Sequence, residues 1–200
     1  DRIWAFNWDG TVDSVGVSYN VDEWVHIVWV HANGTLSIYK NGQFIDSTAS
    51  GNTTSITEAT VLIGNNLVTD PTRYFLGPID DVRIYNRALS AEEVKRLYKI
   101  GSTFVINKPR TDTLKDGLVG YWSFDGPDMD GNRALDRSGQ GNTGALTNGP
   151  KKVAGKIGQA LSFDGVNDYV KFTDGSALST VGDGSFTLSA WAKSSNTGKA

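Results

Sequence analysis

Acidic side chains cluster in one glycine-rich stretch of the chain. Four aspartates and one asparagine lie within residues 125–142: Asp125, Asp128, Asp130, Asp136 and Asn142. Calcium takes about six to eight hard oxygen ligands, which flexible loops supply as side-chain and carbonyl oxygens. The spacing matches an EF-hand at Asp128, Asp130 and Gly131, but Gly126 and Arg137 stand at its first and bidentate ligand positions. The stretch is a candidate calcium site. The alternative is that its aspartates cap turns through their own backbone.

Sugar recognition by aromatic residues is a second candidate chemistry. Trp4, Phe6 and Trp8 alternate along one predicted strand and so share a face. Aromatic rings stack on the C–H faces of pyranose rings, while amide, carboxylate and guanidinium groups bond to hydroxyls. The best surface candidates for ligand binding combine these residue types: Trp8 with Asn7 and Asp9, and Tyr74 with Arg73. The alternative is that the aromatic residues belong to a sandwich core.

Groups suited to catalysis are sparse. Glutamate occurs only at positions 23, 58, 92 and 93, and His26 and His31 are the only histidines. The adjacent Asp80 and Asp81 should point to opposite faces of a strand, which would keep them from acting as a carboxylate pair. The chain has no cysteine, which excludes thiolate catalysis, disulfides and cysteine-based metal sites. The sequence therefore predicts a protein without enzymatic activity.

Charge and hydropathy argue against two further classes of protein. The chain has 200 residues, of which 38% are hydrophobic, and a formal net charge of −3. It contains no basic stripe that would bind phosphate backbones, so no nucleic-acid partner is predicted. No apolar run approaches the roughly 20 residues that span a bilayer, so no membrane insertion is predicted. Twenty-three glycines and an aromatic content of 10% favour many short strands joined by tight turns.

Turn signals and alternation predict strands in both parts of the chain. Asn33-Gly34 and Asn41-Gly42 are typical of type I′ hairpin turns, and they predict three consecutive antiparallel strands. Along residues 118–125, alternation places Leu118 and Trp122 on one face. The same signals predict a hairpin around Asp9-Gly10, strands near 59–64, 77–85, 118–125 and 186–193, and a hairpin of 160–163 with 169–172.

One helix is predicted over residues 90–99. Ser90 and Glu93 have the spacing of a capping box, in which each side chain bonds to the other residue's backbone amide. Val94, Leu97 and Tyr98 form the apolar stripe. Gly101 is expected to end the helix.

These segments together resemble the laminin-G-like, concanavalin A-like lectin/glucanase jellyroll superfamily, in its bacterial branch. The most specific run is GPIDDVRIYNRALSAEE at 77–93, which resembles the last strand and closing helical turn of that domain. WVH at 24–26 and YKNG at 39–42 resemble its central hairpin, and LVGYWSFD at 118–125 resembles its first strand. The runs at 136–142, 163–170 and 186–191 resemble the strands and loops that follow.

The resemblance implies a fold class and a metal site. The fold is expected to be all-β, a two-sheet antiparallel jellyroll sandwich with one short helix. A structural Ca²⁺ is expected near the junction of the first and last strands, which would bring Asp80 or Asp81 to the acidic loop. Related laminarinase-like hydrolases carry a Glu-x-Asp-x-x-Glu strand, and this chain has no such run. Its absence agrees with the prediction of a non-catalytic protein.

The resemblance also implies a function. The expected protein is a lectin-like, carbohydrate-binding recognition module of an extracellular or cell-surface bacterial protein, with a glycan or cell-surface polysaccharide as its partner. The alternative is a structural or adhesive spacer domain of a surface array that binds no sugar.

The two halves of the domain occur in an unusual order. Residues 1–105 resemble the C-terminal half of the jellyroll, 106–117 have the composition of a linker, and 118–200 resemble the N-terminal half. Either one domain has a permuted order, or the chain holds parts of two tandem domains. A third arrangement is head-to-tail exchange with neighbouring domains. Residues 77–85 are predicted to pair antiparallel with residues 118–125.

Overall fold

Antiparallel strands make up most of the described chain. The computed structural model describes residues 2–8, 12–50, 61–65, 74–102, 113–172, 178, 181 and 184–195, with only the backbone described for 2–8 and 12–15. Within them lies one α-helix, α1, at Ala91–Ser102. The strands are β1 Arg2–Trp8, β2 Val12–Ser18, β3 Val25–Ala32, β4 Thr35–Lys40, β5 Gln43–Ala49, β6 Leu62–Ile63, β7 Leu76–Tyr85, β8 Leu118–Trp122, β9 Met129–Asp130, β10 Arg133–Ala134, β11 Gly144–Thr147, β12 Lys151–Ala154, β13 Gln159–Asp164, β14 Tyr169–Phe172 and β15 Phe186–Ala192.

Two antiparallel sheets and a ribbon organise these strands. The larger sheet has the order β12–β13–β7–β15–β3–β4–β5, with β8 added beside β7. The smaller sheet has the order β6–β14–β11–β10–β9. Strands β1 and β2 form a separate two-stranded ribbon, and β2 contacts β4 and β5 of the larger sheet. The predicted all-β jellyroll sandwich with one short helix is confirmed. In the described part of the chain no helix combines the length and apolar character needed to span a membrane.

Strand β7 joins the two halves of the sequence. On one edge it pairs first with β13 and then with β8, where Val82 lies opposite Trp122. On its other edge it pairs with β15, where Ile84 lies opposite Leu188. The predicted pairing of residues 77–85 with 118–125 is therefore confirmed for residues 82–85 with 118–122, whereas residues 76–79 pair with β13. The assignment of the halves to one permuted domain or to two tandem domains stays a prediction.

The sandwich core lies between the two sheets. The large side chains at its centre are fully buried, and the rings of Trp122 and Phe172 are 4.3 Å apart at their centroids. The Trp122 indole N–H donates to the Asn142 carbonyl at 2.8 Å, so its one polar group is satisfied. Trp122 comes from the larger sheet and Phe172 from the smaller, so their contact joins the sheets across the apolar interior.

The opposite face of the larger sheet carries α1. Val94 and Leu97 of the helix are buried against Val28, Val30 and Tyr85 of the sheet. We call this face the helix-side face. Alternation in β3 divides its residues between the two faces. Odd-numbered positions pack with Val17 of β2, and even-numbered positions pack toward α1.

The capping box begins α1 as predicted, but the predicted helix end is wrong. The Glu93 amide donates to Ser90 Oγ at 3.3 Å, and the Ser90 amide donates to the Glu93 carboxylate at 2.9 Å. The helix continues through Gly101 to Ser102. A Cβ at position 101 would lie 2.3 Å from Trp191 Nε1, so glycine is needed here for a close helix–sheet contact.

The two Asn-Gly turns have the predicted geometry. Asn33 and Gly34 have φ values of 49° and 68°, and Asn41 and Gly42 have φ values of 51° and 76°. Positive φ at both central residues is what a type I′ turn requires. Strands β3, β4 and β5 are therefore consecutive hairpin strands, as predicted. The Asp9-Gly10 turn lies outside the described residues, although β1 and β2 pair as a hairpin would.

Other local predictions are wrong because tertiary pairing overrides them. The segment 160–163 belongs to β13 in the larger sheet, whereas 169–172 is β14 in the smaller sheet. Between them Asp164 Oδ1 accepts hydrogen bonds from the amides of Val166 and Asn167, so this turn carries the chain from one sheet to the other.

The predicted shared face of Leu118 and Trp122 is also wrong. Leu118 packs toward the helix and Trp122 toward the sandwich core, because the β7–β8 register shifts between them. Of the predicted strand at 59–64, the described part is Leu62–Ile63.

The described end of the predicted linker is packed against α1. Leu114 is buried, and residues 113–115 form a 3-10 turn. Arg87 holds this turn: its guanidinium donates to the carbonyls of Thr113 and Asp116, at 2.7 Å each, and to both carboxylate oxygens of Glu93. Arg87 thus links the end of β7, the start of α1 and the segment that leads into β8.

Replacing Arg87 with alanine should lower the free energy of unfolding by about 2 kcal/mol, because charge-assisted hydrogen bonds to two other segments are lost. Urea denaturation measures this loss. Arg137→Ala is the matched control, since Arg137 is half-exposed, its one ion pair is with Asp128, and its loss should cost less than about 1 kcal/mol. Equal effects of the two substitutions would contradict the role given to Arg87.

Candidate functional site

Two residues of the predicted calcium site, Asp136 and Asn142, form hydrogen bonds with the backbone. Asp136 Oδ1 accepts the backbone amides of Tyr121 and Ser138, and its Oδ2 accepts the amide of Asn142 at 2.9 Å. The Asn142 side chain donates to the Val119 carbonyl at 2.6 Å. Asp136 and Asn142 therefore fasten the loop to β8, which is the turn-capping role that the sequence left open as the alternative.

The remaining aspartates of the loop point in different directions. Asp128 accepts from the Ser123 hydroxyl and lies 3.1 Å from an Arg137 nitrogen. Asp130 is exposed on β9. Among the described residues, no three histidine, aspartate or glutamate side chains are grouped in a way that would hold a metal ion.

Asp80 is a fully buried carboxyl group with one oxygen unused. Its Oδ2 accepts the Ile157 amide at 2.8 Å, and its Oδ1 has no hydrogen-bond partner. A Cβ at Gly155 would lie 2.6 Å from Oδ2, so this glycine allows the carboxyl group to approach the β12–β13 turn. Burial raises the pKa of Asp80 to about 7, and the nearby Asp81 carboxylate adds to the rise against the lowering effect of backbone hydrogen bonds.

Asp125 approaches the same β12–β13 turn. Its Oδ1 accepts the Gln159 amide at 2.8 Å. A Cβ at Gly158 would lie 2.0 Å from that oxygen, so glycine is required at this position too. Two carboxyl groups from the predicted calcium set, Asp80 of β7 and Asp125 after β8, therefore converge on the turn at residues 155–158.

A β-bulge in β7 changes the faces of its aspartates. Ser189 lies opposite Arg83 and Trp191 lies opposite Asp80, so three residues of β7 span two of β15. Asp81 has a φ of 51° at the bulge, and its Oδ1 lies 3.1 Å from the Arg83 guanidinium. Asp80 therefore shares the face of Arg83, and the Asp81 carboxylate also reaches that arginine. The expectation that Asp80 and Asp81 point to opposite faces is wrong.

Arg83 is a buried cation covered by an aromatic ring. Its guanidinium lies 4.2 Å from the Tyr121 ring centroid, and the Arg137 guanidinium lies 5.7 Å from the same centroid. Burial disfavours the charge of Arg83, but the Asp81 carboxylate outweighs that effect and raises the pKa of Arg83 above its ordinary value. Arg83 therefore keeps its charge, and the Asp81 carboxylate neutralises it.

His26 is buried in an aromatic group beneath the C-terminal end of α1. Its ring lies 5.1 Å from Trp191 and 6.1 Å from Tyr98 of the helix, and Tyr98 stacks on Trp191 at 5.6 Å. Its Nε2 lies 3.0 Å from the Ser189 hydroxyl. Burial lowers the pKa of His26 to about 4, with Asp81 opposing and Arg83 reinforcing that effect. His26 is therefore neutral near pH 7.

The predicted sugar-binding residues lie on separate elements. Asn7 and Trp8 are at the end of β1, where Trp8 is opposite Val12 of β2. Tyr74 is half-buried and forms an isolated bridge with Asn65 next to β6. Asp9 and Arg73 lie outside the described residues. The role of these five residues in ligand binding stays a prediction.

Sequence reasoning did not bring the polar and aromatic residues of the helix-side face together in one place. The motif at 77–93 included Arg83, but alternation alone could not place it beside Tyr121 or near Trp191. One signal was present: charged and histidine residues occur inside strands whose other residues are apolar, as at His26 and Arg83. Such residues are rarely fully buried without a specific partner.

The comparison with protein families identifies part of this chain. Residues 2–95 match the model of a laminin G family in the concanavalin A-like lectin/glucanases superfamily. Residues 2–95 are laminin G-like. The laminin G-like region covers the ribbon, β3 to β7 and the start of α1. This match supports at most a carbohydrate-binding type of module, and laminin G-like domains are typically non-catalytic. Comparison with curated proteins and with solved structures found no match.

The buried His26 makes stability depend on pH. Between pH 6.5 and about 4 this residue is protonated in the unfolded chain and neutral in the folded protein, so the free energy of unfolding falls as the pH falls. At about 1.4 kcal/mol per unit of pKa shift, the loss amounts to about 3 kcal/mol. The stability difference between the wild type and His26→Gln should therefore decrease by that amount from pH 7 to pH 4.

Urea denaturation of both proteins at each pH measures this difference. The raised pKa of Asp80 acts in the opposite direction over this range, but it is common to both proteins and cancels. Parallel pH profiles for the two proteins would contradict the assignment of the pH dependence to His26.

Proposed function

We propose that this chain is a non-catalytic, lectin-like recognition module of an extracellular or cell-surface protein, and that its ligand is a glycan. The observation that carries the proposal is the match of residues 2–95 to the lectin/glucanase superfamily. The engagement of the β7 carboxyl groups supports a non-catalytic role, because Asp81 is neutralised by Arg83 and Asp80 bonds to a turn amide.

The ribbon is the proposed location of the glycan site. Residues 4, 6 and 8 share one face of β1 because alternate residues of a strand do so. Their partners across the ribbon are Gly16, Ser14 and Val12. The sequence predicts that the aromatic residues at these positions share that face, and aromatic rings stack on the C–H faces of sugar rings.

Glycan binding is tested on an array of bacterial and host-type glycans, followed by fluorescence titration with the ligands that bind. Trp8→Ala should weaken binding at least about tenfold, since the loss of stacking, worth about 0.5 to 1.5 kcal/mol, adds to the loss of the buried area of the ring. Phe44→Ala is the control, because Phe44 is 56% exposed on β5 and lies outside the proposed site.

The outcomes of this test separate the two functions that the sequence left open. Binding that Trp8→Ala weakens and Phe44→Ala does not supports the glycan site on the ribbon. Absence of binding to every neutral and charged glycan would overturn the proposal in favour of a spacer domain that joins neighbouring domains in a surface array.

We also propose a structural calcium ion at the turn of residues 155–158, held by Asp80 and Asp125. The unused, buried Oδ1 of Asp80 supports this, since a carboxylate there lacks the positive partner that burial demands. Carboxylate oxygens and the carbonyl groups of a glycine-containing turn are the ligands that Ca²⁺ prefers. The ion would neutralise Asp80 and fasten the turn to β7.

Removal of calcium with a chelator should lower the melting temperature of the wild type by about 5 to 10 °C. A free ligand concentration one hundred times the dissociation constant raises the free energy of unfolding by about 2.7 kcal/mol. At this chain length, each kcal/mol raises the melting temperature by a few degrees. Asp80→Asn should abolish the effect of the chelator, whereas Asp130→Asn, on the exposed side of the loop, should preserve it. A wild-type melting curve that the chelator leaves unchanged would remove calcium from this site.

A further inference from the structure

Four buried polar groups on the helix-side face have no hydrogen-bond partner. They are His26 Nδ1, Arg83 Nε, Tyr85 Oη and Trp191 Nε1. Each of these residues is more than nine-tenths buried, with exposures of 1%, 8%, 0% and 2% in that order. Leaving such a group unpaired is energetically costly, so native proteins rarely do so without a reason.

The four groups lie on three adjacent strands. Trp191 of β15 is opposite His26 of β3, and β15 also pairs with the part of β7 that carries Arg83 and Tyr85. Adjacent strands are about 4.8 Å apart, and successive residues of a strand are about 3.3 Å apart. The four residues therefore lie within an area of about 10 by 13 Å. The concentration of unpaired groups in one small area points to a shared ligand.

The chemistry of the area matches a neutral sugar. Arg83 and Trp191 offer N–H donors, the neutral His26 ring offers a donor or an acceptor according to its tautomer, and the Tyr85 hydroxyl offers both. Sugar hydroxyl groups also donate and accept. The charge of Arg83 is already neutralised by Asp81 at 3.1 Å, so the area does not demand an anion. The Trp191 ring supplies an aromatic surface for stacking.

The end of α1 occupies this area in the structure. Tyr98 stacks on Trp191 with an interplanar angle of 30°, and Gly101 lies so close to the indole nitrogen that a side chain would not fit. The last turn of α1 also carries exposed residues, Lys99 and Ile100, and helix ends open at low cost compared with the core. Tyr98 thus takes the place on Trp191 that a sugar ring would take.

We propose that the helix-side face beneath residues 98–102 of α1 is a second glycan site, specific for neutral pyranoses and closed by Tyr98. The site rests on the glycan recognition proposed above, and it is separate from the ribbon that carries Trp8. A sugar ring replaces Tyr98 on Trp191, and its hydroxyl groups bond to the unpaired atoms of His26, Arg83 and Trp191.

The test uses a soluble β-glucan and a mannan as neutral probes and alginate as an anionic probe. Calorimetry gives the dissociation constants for the wild type, for Tyr98→Ala and for the control Ile100→Ala on the exposed side of the same turn. Tyr98→Ala should tighten the binding of a neutral probe at least about fivefold, because the cost of opening is removed. Ile100→Ala should leave the affinity unchanged, and alginate should bind more weakly than the neutral probes.

A second measurement is independent of how well Tyr98→Ala folds. In the wild type labelled with ¹⁵N, a saturating neutral probe should shift the indole N–H resonance of Trp191. Binding without that shift, and without tightening by Tyr98→Ala, would overturn the second site but leave glycan recognition at the ribbon intact. Binding of alginate alone would overturn the assignment to neutral pyranoses. The absence of binding by all three probes to wild type and variant would overturn the second site, whereas the glycan array decides the ribbon site.

Discussion

Strand β7 is the element on which the rest of the structure depends. Nine of its ten residues are buried, and it pairs with β13 and β8 on one edge and with β15 on the other. Its three partners all follow residues 106–117 in the sequence, while β3, β4 and β5 precede it. The larger sheet is therefore continuous because both β7 and β3 pair with strands from the other half of the chain. A strand paired on both edges leaves no backbone groups exposed for aggregation.

The bulge at Asp81 explains the unusual chemistry of the helix-side face. In a regular strand Asp80 and Arg83 would lie on opposite faces, but the extra residue brings both to the side that faces α1. A carboxyl group, a guanidinium and the neighbouring Trp191 and His26 are then buried together. The pairing of Arg83 with Asp81 offsets part of the cost of burying charge, and the unpaired oxygen of Asp80 remains.

Packing of α1 against this face depends on the size of two residues. Gly101 lets the helix end rest on the Trp191 indole, and Tyr98 fills the space beside it. The start of the helix is held differently, by its capping box and by the Arg87–Glu93 pair. The two ends therefore differ in kind: charge-assisted bonds fix the start, whereas aromatic contacts over a polar area hold the end.

The sequence alone determined the elements whose geometry depends only on residues close to one another along the chain. The Asn-Gly turns need positive φ at two adjacent positions, and a capping box needs only Ser90 and Glu93, so both could be predicted. The superfamily resemblance gave the sandwich. Tertiary structure alone decided which sheet β14 joins, why Gly101 lies inside the helix, and which face Asp80 occupies. These features depend on register between distant strands, and a shift of one residue in register moves a side chain to the other face of the sheet.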